Sequence, residues 1–334
     1  MCGDSRDLFR RCVAKSFAIG SLIIAAGIAN AADRLTGLHS AQVMSQSMPW
    51  IAQEAGLFKK YDLDFRLVFI PSSPVATAAT LNGDAEIGVT GAVGNVRAFV
   101  QGFTDLVFIG GMKNILTHSV LGKPDIKRPE DLKGKKVGVG RFGGNTHYFV
   151  IQALKRLGMD ASKDIQTIQT GGGPETVAAL LSGSIDAAGL VAPGDSAVAA
   201  RGFRYVINGP EMRIPYGATQ VVTLRSVINK RGPVVGRFMR AMAEASRIIH
   251  TDKNFVYKVL GKYMRITDTK VLDAAYQSEI PALERRLEIS DAALQASLDE
   301  IAPLDPRAKA IKPAEMIDRR YLIELEKSGL FDGK

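Results

Sequence analysis

Between Lys135 and Gly140 apolar residues alternate with polar or small ones. Val150, Ile151, Leu154 and Leu157 then fall on one helical face, and the intervening Arg141 to Asn145 is rich in glycine. The pattern predicts a strand, a loop and a helix. Asn145 or Thr146 is expected as the N-cap, Lys155 and Arg156 suit the negative end of the last turn, and Gly158 suits the left-handed position beyond it. Free backbone N–H groups at such a start, beside glycines with no side chain, make a seat for an anion or a carbonyl oxygen.

Gly138, Gly140 and Gly143 also spell G-x-G-x-x-G. In a dinucleotide-binding turn the first glycine ends the strand, whereas here Gly138 falls inside it. The acidic residue expected at the end of the next strand is missing too, because Ile165 to Ile168 runs into Gln169 and Thr170.

The same reading extends along the chain. Arg34 to Ser40 is a weak first strand. A helix begins near Met48 and Pro49, where proline suits the first turn, and it ends at Gly56; Asp64 to Ile70 is the second strand. Trp50 either anchors that helix in the core or faces a cleft, the core being preferred. Ser73-Pro74 opens a helix that runs to Leu81-Asn82-Gly83 and leads into a strand at Glu86 to Val89. A hundred positions later Gly173-Pro174 opens one that runs to Leu181-Ser182-Gly183 and leads into Asp186 to Leu190. The echo predicts two similar βαβαβ halves with parallel strands and ligand sites beyond the strands' carboxyl ends. Thr104 to Gly110, Phe203 to Ile207 and Ala218 to Leu224 read as further strands. From Pro233 the pattern is almost wholly helical, with Phe238, Met242, Ala245 and Ile249 on one face and Pro313 at another first turn.

The N-terminus changes the picture of where the protein resides. Arg6, Arg10, Arg11 and Lys15 precede the apolar run Phe17 to Ala29, and Ala29-Asn30-Ala31 follows; this is the layout of an export signal, too short to span a bilayer. Cleavage after Ala31 would leave 303 residues with 39 basic and 32 acidic side chains, a net +7. Cys2 and Cys12 both lie in that signal, which excludes a disulfide framework, a thiolate nucleophile and a cysteine metal site in the exported product. The basic residues are scattered, so no nucleic-acid partner is expected. No H-E-x-x-H, P-loop or G-x-S-x-G turn occurs, and His39, His118, His147 and His250 are widely spaced, so neither a catalytic residue nor a metal or other cofactor is expected.

Three segments carry a family resemblance: Ile51-Ala52-Gln53-Glu54-Ala55-Gly56-Leu57-Phe58-Lys59-Lys60, then Leu81-x-Gly83-x-Ala85-Glu86-Ile87-Gly88, then Asp131-Leu132-Lys133-Gly134-Lys135-Lys136-Val137-Gly138-Val139. From about residue 35 to 330 the chain resembles the type II periplasmic solute-binding proteins of ABC importers, in the branch that takes nitrate, sulfonates, taurine and thiamine-precursor pyrimidines. The resemblance implies an α/β protein of two lobes, each a mixed, mainly parallel sheet flanked by helices, with a helical C-terminal region. Its expected parts are a signal at 1–31, a first lobe at 32–118 and 222–334, and a second at 119–221, with crossings near 119–122 and 217–222. It implies a periplasmic monomer that captures a small, anionic organic solute and meets the membrane only through a permease and its ATPase. Carried over, the cleft residues would be Ser45, Gln46, Met48, Ser72, Ser73, Thr90, Gly91, Gly143, Gly144, Asn145 and Thr146, together with Ser119, Gly172, Gly173, Pro193 and Tyr216. Enzymes of pyrimidine formation on the same fold are the alternative, but they use cysteine-rich iron chemistry that this exported chain would lack.

Overall fold

The computed structural model describes residues 31–332, so the expected export signal lies, but for Ala31, outside the described residues. Ten strands follow one another: β1 (Asp33–His39), β2 (Leu63–Phe69), β3 (Ile87–Thr90), β4 (Leu106–Leu116), β5 (Ser119–Gly122), β6 (Lys136–Val139), β7 (Gln166–Gln169), β8 (Ala187–Leu190), β9 (Arg204–Ile207) and β10 (Ile214–Leu224). They form two five-stranded sheets, ordered β2-β1-β3-β10-β4 and β7-β6-β8-β5-β9.

The two orders are the same device used twice. In each sheet three strands run parallel, with the first between the second and third. An antiparallel strand from the other half of the chain then inserts ahead of the edge strand: β10 in the first sheet, β5 in the second. The chain passes to the second sheet between Leu116 and Ser119 and returns between Ile207 and Ile214. Residues 217–222, where the return was expected, lie within β10 and pair in the first sheet.

The echo reaches down to single hydrogen bonds. Helices Ser73–Leu81 and Gly173–Leu181 both end in a left-handed glycine, Gly83 at φ +81° and Gly183 at φ +78°. The next amide reaches back over the last turn in each, Asp84 to the Ala79 carbonyl and Ser184 to that of Ala179. Glycine takes this conformation without the steric cost of a Cβ, which is why the two chain reversals share a residue type.

Beyond β10 the halves differ. Helices Arg225–Thr251, Lys253–Met264 and Thr269–Glu279 pack on the first sheet, burying Phe238, Met242, Val256, Leu272 and others with Trp50, Ile51 and Ile87. Trp50 is a core residue, 2% exposed and stacked on Tyr263. The long helix starts earlier than Pro233, at Arg225, but its helical path breaks at Arg231, so Pro233 does open the turn that follows the break. Helix Ala92–Val100 escapes the periodicity reading because seven of its nine residues are buried, leaving no polar face to set a phase.

Candidate functional site

The starts of helices Ser73–Leu81, Asn145–Arg156 and Gly173–Leu181 and the ends of strands β1, β6 and β8 converge between the sheets on a cavity of about 120 Å³. The first half contributes Ser40 and Ala41 after β1, Ser45 and Gln46 from the loop, Ser72 and Ser73, and Lys113, Ala218 and Thr219 from β4 and β10. The second half contributes His118, Gly140 and Arg141, the helix start Gly144 to Thr146, and Gly171 to Gly173.

Most of the first-half wall is held by its own hydrogen bonds. Gln46 Oε1 accepts from the amides of Ser40 and Ala41 at 2.8 and 2.9 Å, and its Nε2 donates to Ser40 Oγ. Thr90 donates to the same hydroxyl from behind, and Ser45 shares a hydrogen bond of 2.8 Å with Thr219. On the floor, the Lys113 ammonium is tied to Thr117 Oγ1 and to Glu279, with an N–O distance of 2.7 Å to the carboxylate. His118 beside it is neutral, since burial, with Lys113 adding to the effect, pushes its imidazole down to about 3.

The second-half wall differs. The N-cap of helix Asn145–Arg156 is Gly144, in extended backbone at φ −93° and ψ 171°, not Asn145 or Thr146 as the sequence suggested. The Asn145 side chain is committed elsewhere, its Nδ2 donating to the Ala218 carbonyl of the first half at 2.8 Å. Tyr148 is the first amide to bond within the helix, to Gly144, so the N–H groups of Asn145, Thr146 and His147 have no intrahelical acceptor, and no side chain caps them. At the neighbouring start, Glu175 Oε2 accepts from Gly172 N and Pro174 has no N–H, which leaves only the amides of Gly173 and Glu175 without an acceptor there. An anion therefore finds the larger set of donors at Asn145 to His147, the Gly144 amide being bonded to the Arg141 carbonyl. Arg141 at the rim makes no ion pair among the described residues.

Three side-chain atoms of the wall are buried without a partner among the described residues: Ser72 Oγ, His118 Nδ1 and Asn145 Oδ1. Ser72 is also held at φ 81°, ψ 132°, outside the usual regions for a side-chain-bearing residue. Each orphaned atom costs about 1–3 kcal/mol, so this arrangement gains most from whatever supplies partners.

Of the residues expected from the sequence, Ser45, Gln46, Ser72, Ser73, Gly144, Asn145, Thr146, Gly172 and Gly173 line the cavity. The others stand outside its wall. Met48 is in the core. Gly91 lies under the wall, where a Cβ would come within 2.3 Å of Asn145 Oδ1 and 2.8 Å of Ser73 Oγ. Gly143 borders a separate crevice beside Arg97. Ser119 Oγ accepts from Gly209 N, and Pro193 precedes helix Gly194–Ala199. Tyr216 is fully buried, stacked on Tyr148 at 4.3 Å. The sequence reading missed Lys113 and His118; a lone lysine within the apolar run Leu106–Leu116 was the available signal.

Among the described residues no group of three or more His, Cys, Asp or Glu is placed to hold a metal ion.

Comparison with known proteins shows the family. The model of the family described as NMT1/THI5 like matches residues 47–252. The taurine-binding periplasmic protein of Escherichia coli K12 is 30% identical over 173 residues, 51% of this chain and 52% of that protein. The chain thus spans about half the length of this curated relative. Among solved structures, the alkanesulfonate-binding protein SsuA of Xanthomonas axonopodis pv. citri, bound to MOPS, superposes with a TM-score of 0.73 at 20% identity, covering 86% of this chain and 98% of that one. The aliphatic sulphonate binding protein SsuA of Escherichia coli gives 0.70 at 22% identity, covering 86% and 92%. At these identities the likeness establishes the fold, two mixed sheets flanked by helices.

Proposed function

Since the chain belongs to the NMT1/THI5-like family, we propose that it is the solute-capturing component of an ABC importer. It works outside the cytoplasm as a monomer, holds a small anionic organic solute between its two halves, and delivers it to a membrane permease served by an ATPase. The solute is of the sulfonate or taurine class, with small carboxylates and nitrate as the related cases.

The observation that carries this reading is the uncapped helix start at Gly144 to Thr146, opening on a cavity between the halves. Its free N–H groups and helix dipole favour an oxyanion, and Arg141 adds a cation at the rim. Thr146 supports the seat as well: its methyl group packs over Gly189, and its hydroxyl makes no hydrogen bond within the described residues. A cavity of about 120 Å³ suits a solute of few heavy atoms, well below the roughly 300–1,000 Å³ of pockets for drug-sized ligands. The taurine-binding relative and the sulfonate-binding neighbours support the choice of class.

Closure follows from the same groups. In an open form, water serves Ser72, His118 and the helix start; in the closed form a solute replaces it, so binding shifts the equilibrium by its preference for the closed form. Titration calorimetry with taurine, ethanesulfonate, acetate and nitrate tests the reading. Binding of at least one is expected, and Thr146→Ala should weaken it by about 1.5–3 kcal/mol, the range for a hydrogen bond to a charged group. Lys155→Ala, at the far end of the helix, should leave it unchanged. Absence of binding by all four would overturn the assignment of the class. Consumption of a bound solute would favour an enzyme on this fold, acting on a pyrimidine or thiamine-precursor-like compound.

A further inference from the structure

We propose that closing the two halves takes up a proton from water, with Asp195 as the group that receives it, so that acid favours the closed form. The inference rests on the reading that the halves move, but not on what they bind.

Asp195 lies on helix Gly194–Ala199, whose Val198 is part of the second half's core with Leu121 and Leu190. Across from it packs helix Thr269–Glu279, whose Leu272 and Tyr276 belong to the first half's core. The buried acidic side chains of these two helices are Asp195, only 2% exposed, and Glu279, fully buried and near enough for its charge to act on Asp195. One buried cation serves them, Lys113, and it is committed to Glu279 and Thr117. Asp195 itself makes no salt bridge among the described residues; its carboxylate accepts from the amide of Ser196 at 2.6 Å and from that residue's hydroxyl. The remaining neighbour is Tyr205 on β9, whose hydroxyl stays protonated because burial, with Asp195 adding to the effect, pushes it up to about 12.

A carboxylate buried beside another, with no cation of its own, is relieved most simply by a proton. Burial first and the Glu279 charge next push the Asp195 carboxyl up to about 6, against hydrogen bonds from Ser196 and Tyr205 that pull it down. Opening the junction wets Asp195 and returns it to its ordinary value of 3.8. The sign follows: the closed form has the higher pKa, so it is favoured at low pH and loses that advantage as pH rises through about 6. Lys113 lines the cavity and holds Glu279, so the proton-binding junction and the cleft share one side chain.

Distance measurements between spin labels at Lys59→Cys and Lys163→Cys, one on each half, test this without any solute. The background should carry Glu300→Gln, because Glu300 is a second raised carboxyl facing Tyr148 and Tyr216 between the halves. Going from pH 8 to pH 5 should raise the closed-to-open ratio about tenfold, as expected for a group one unit below its closed-form pKa. Asp195→Asn should abolish that change, and Glu279→Gln, which removes the opposing charge, should shrink it. A ratio that does not change with pH would overturn the proposal, as would a full change retained in Asp195→Asn. Should that variant fail to fold, the Glu279→Gln result decides: an undiminished pH change would equally overturn the proposal.

Discussion

Helix starts in this molecule come in two kinds, and where each kind occurs is informative. In the C-terminal region, Asp252, Asp268 and Ser290 each accept a hydrogen bond from an amide of the first turn, those of Phe255, Lys270 and Ala293. At the cleft, helices Ser73–Leu81 and Asn145–Arg156 have no side-chain cap, and the second starts from a glycine. Omitting a cap typically costs about 1 kcal/mol. A missing cap is not confined to the cleft, since helices Arg225–Thr251 and Arg320–Lys327 lack one too; what sets the cleft starts apart is that they open on the cavity, where a solute would complete them. The cleft floor is of neither kind: its ammonium is fully committed to partners inside the protein.

That floor offers the largest test. If Lys113 were a free solute-binding cation, replacing it would weaken binding and spare the fold. The ion pair predicts the reverse, because Lys113→Met leaves Glu279 buried, unpaired and close to Asp195. A stability loss of about 3–5 kcal/mol is expected by urea unfolding. A near-neutral effect on unfolding would show that the floor belongs with the open helix starts after all.

A second test uses pH. Glu300 sits with Tyr216, Tyr148 and Arg97, and burial pushes its carboxyl up from 4.5 to about 7, against the pull of Arg97 and of Tyr216. A carboxyl raised by folding costs nothing below its unfolded pKa, and its cost grows as pH climbs from about 4.5 to about 7. Glu300→Gln removes the charge, so it should leave stability near pH 4 little changed and raise it at pH 8. Each pKa unit is worth about 1.4 kcal/mol, and partial contact with solvent reduces the total to about 2 kcal/mol. An equal effect at both pH values would mean that Glu300 is ordinarily solvated.

Much of the frame was legible in the sequence because glycine and proline mark helix ends chemically. Gly83, Gly183 and Gly158 occupy the left-handed positions they suggested, and the repeat they outline is the repeat of the sheets. The mainly parallel reading of each half was right for three strands. It did not reveal that β5 and β10 are exchanged between halves, since strand exchange leaves no mark on periodicity. The position of the open helix start was legible, but its cap was not: Asn145 is a good capping residue in isolation, and only the tertiary fold brings the Ala218 carbonyl within its reach. Tyr216 looked available because a lone aromatic in a loop-like context gives no sign of a stacking partner. The structure supplies Tyr148, more than sixty residues away in the chain. Lys113 and Glu279, separated by |i−j| = 166, meet only through the fold.

The smallest expected effects bear most directly on the two kinds of helix start. Ser290→Ala removes a cap from a helix that does not line the cavity and should cost about 1 kcal/mol of stability with solute affinity unchanged. Gly144→Ser does the opposite. Its extended backbone accepts any residue, and a serine there would offer its hydroxyl oxygen to the free amides of Thr146 or His147. The added Cβ would stand 3.1 Å from the Arg141 carbonyl, so the loop must give by a few tenths of an ångström, which offsets part of the gain. Serine improves on glycine as a cap by only a few tenths of a kcal/mol, so the net effect on unfolding should be near zero or slightly stabilising. Calorimetry should nevertheless find weaker solute binding, because the protein's own oxygen would occupy the donors an oxyanion needs. A stabilised Gly144→Ser that binds as well as the parent would mean that this helix start is merely unfinished and takes no part in capture.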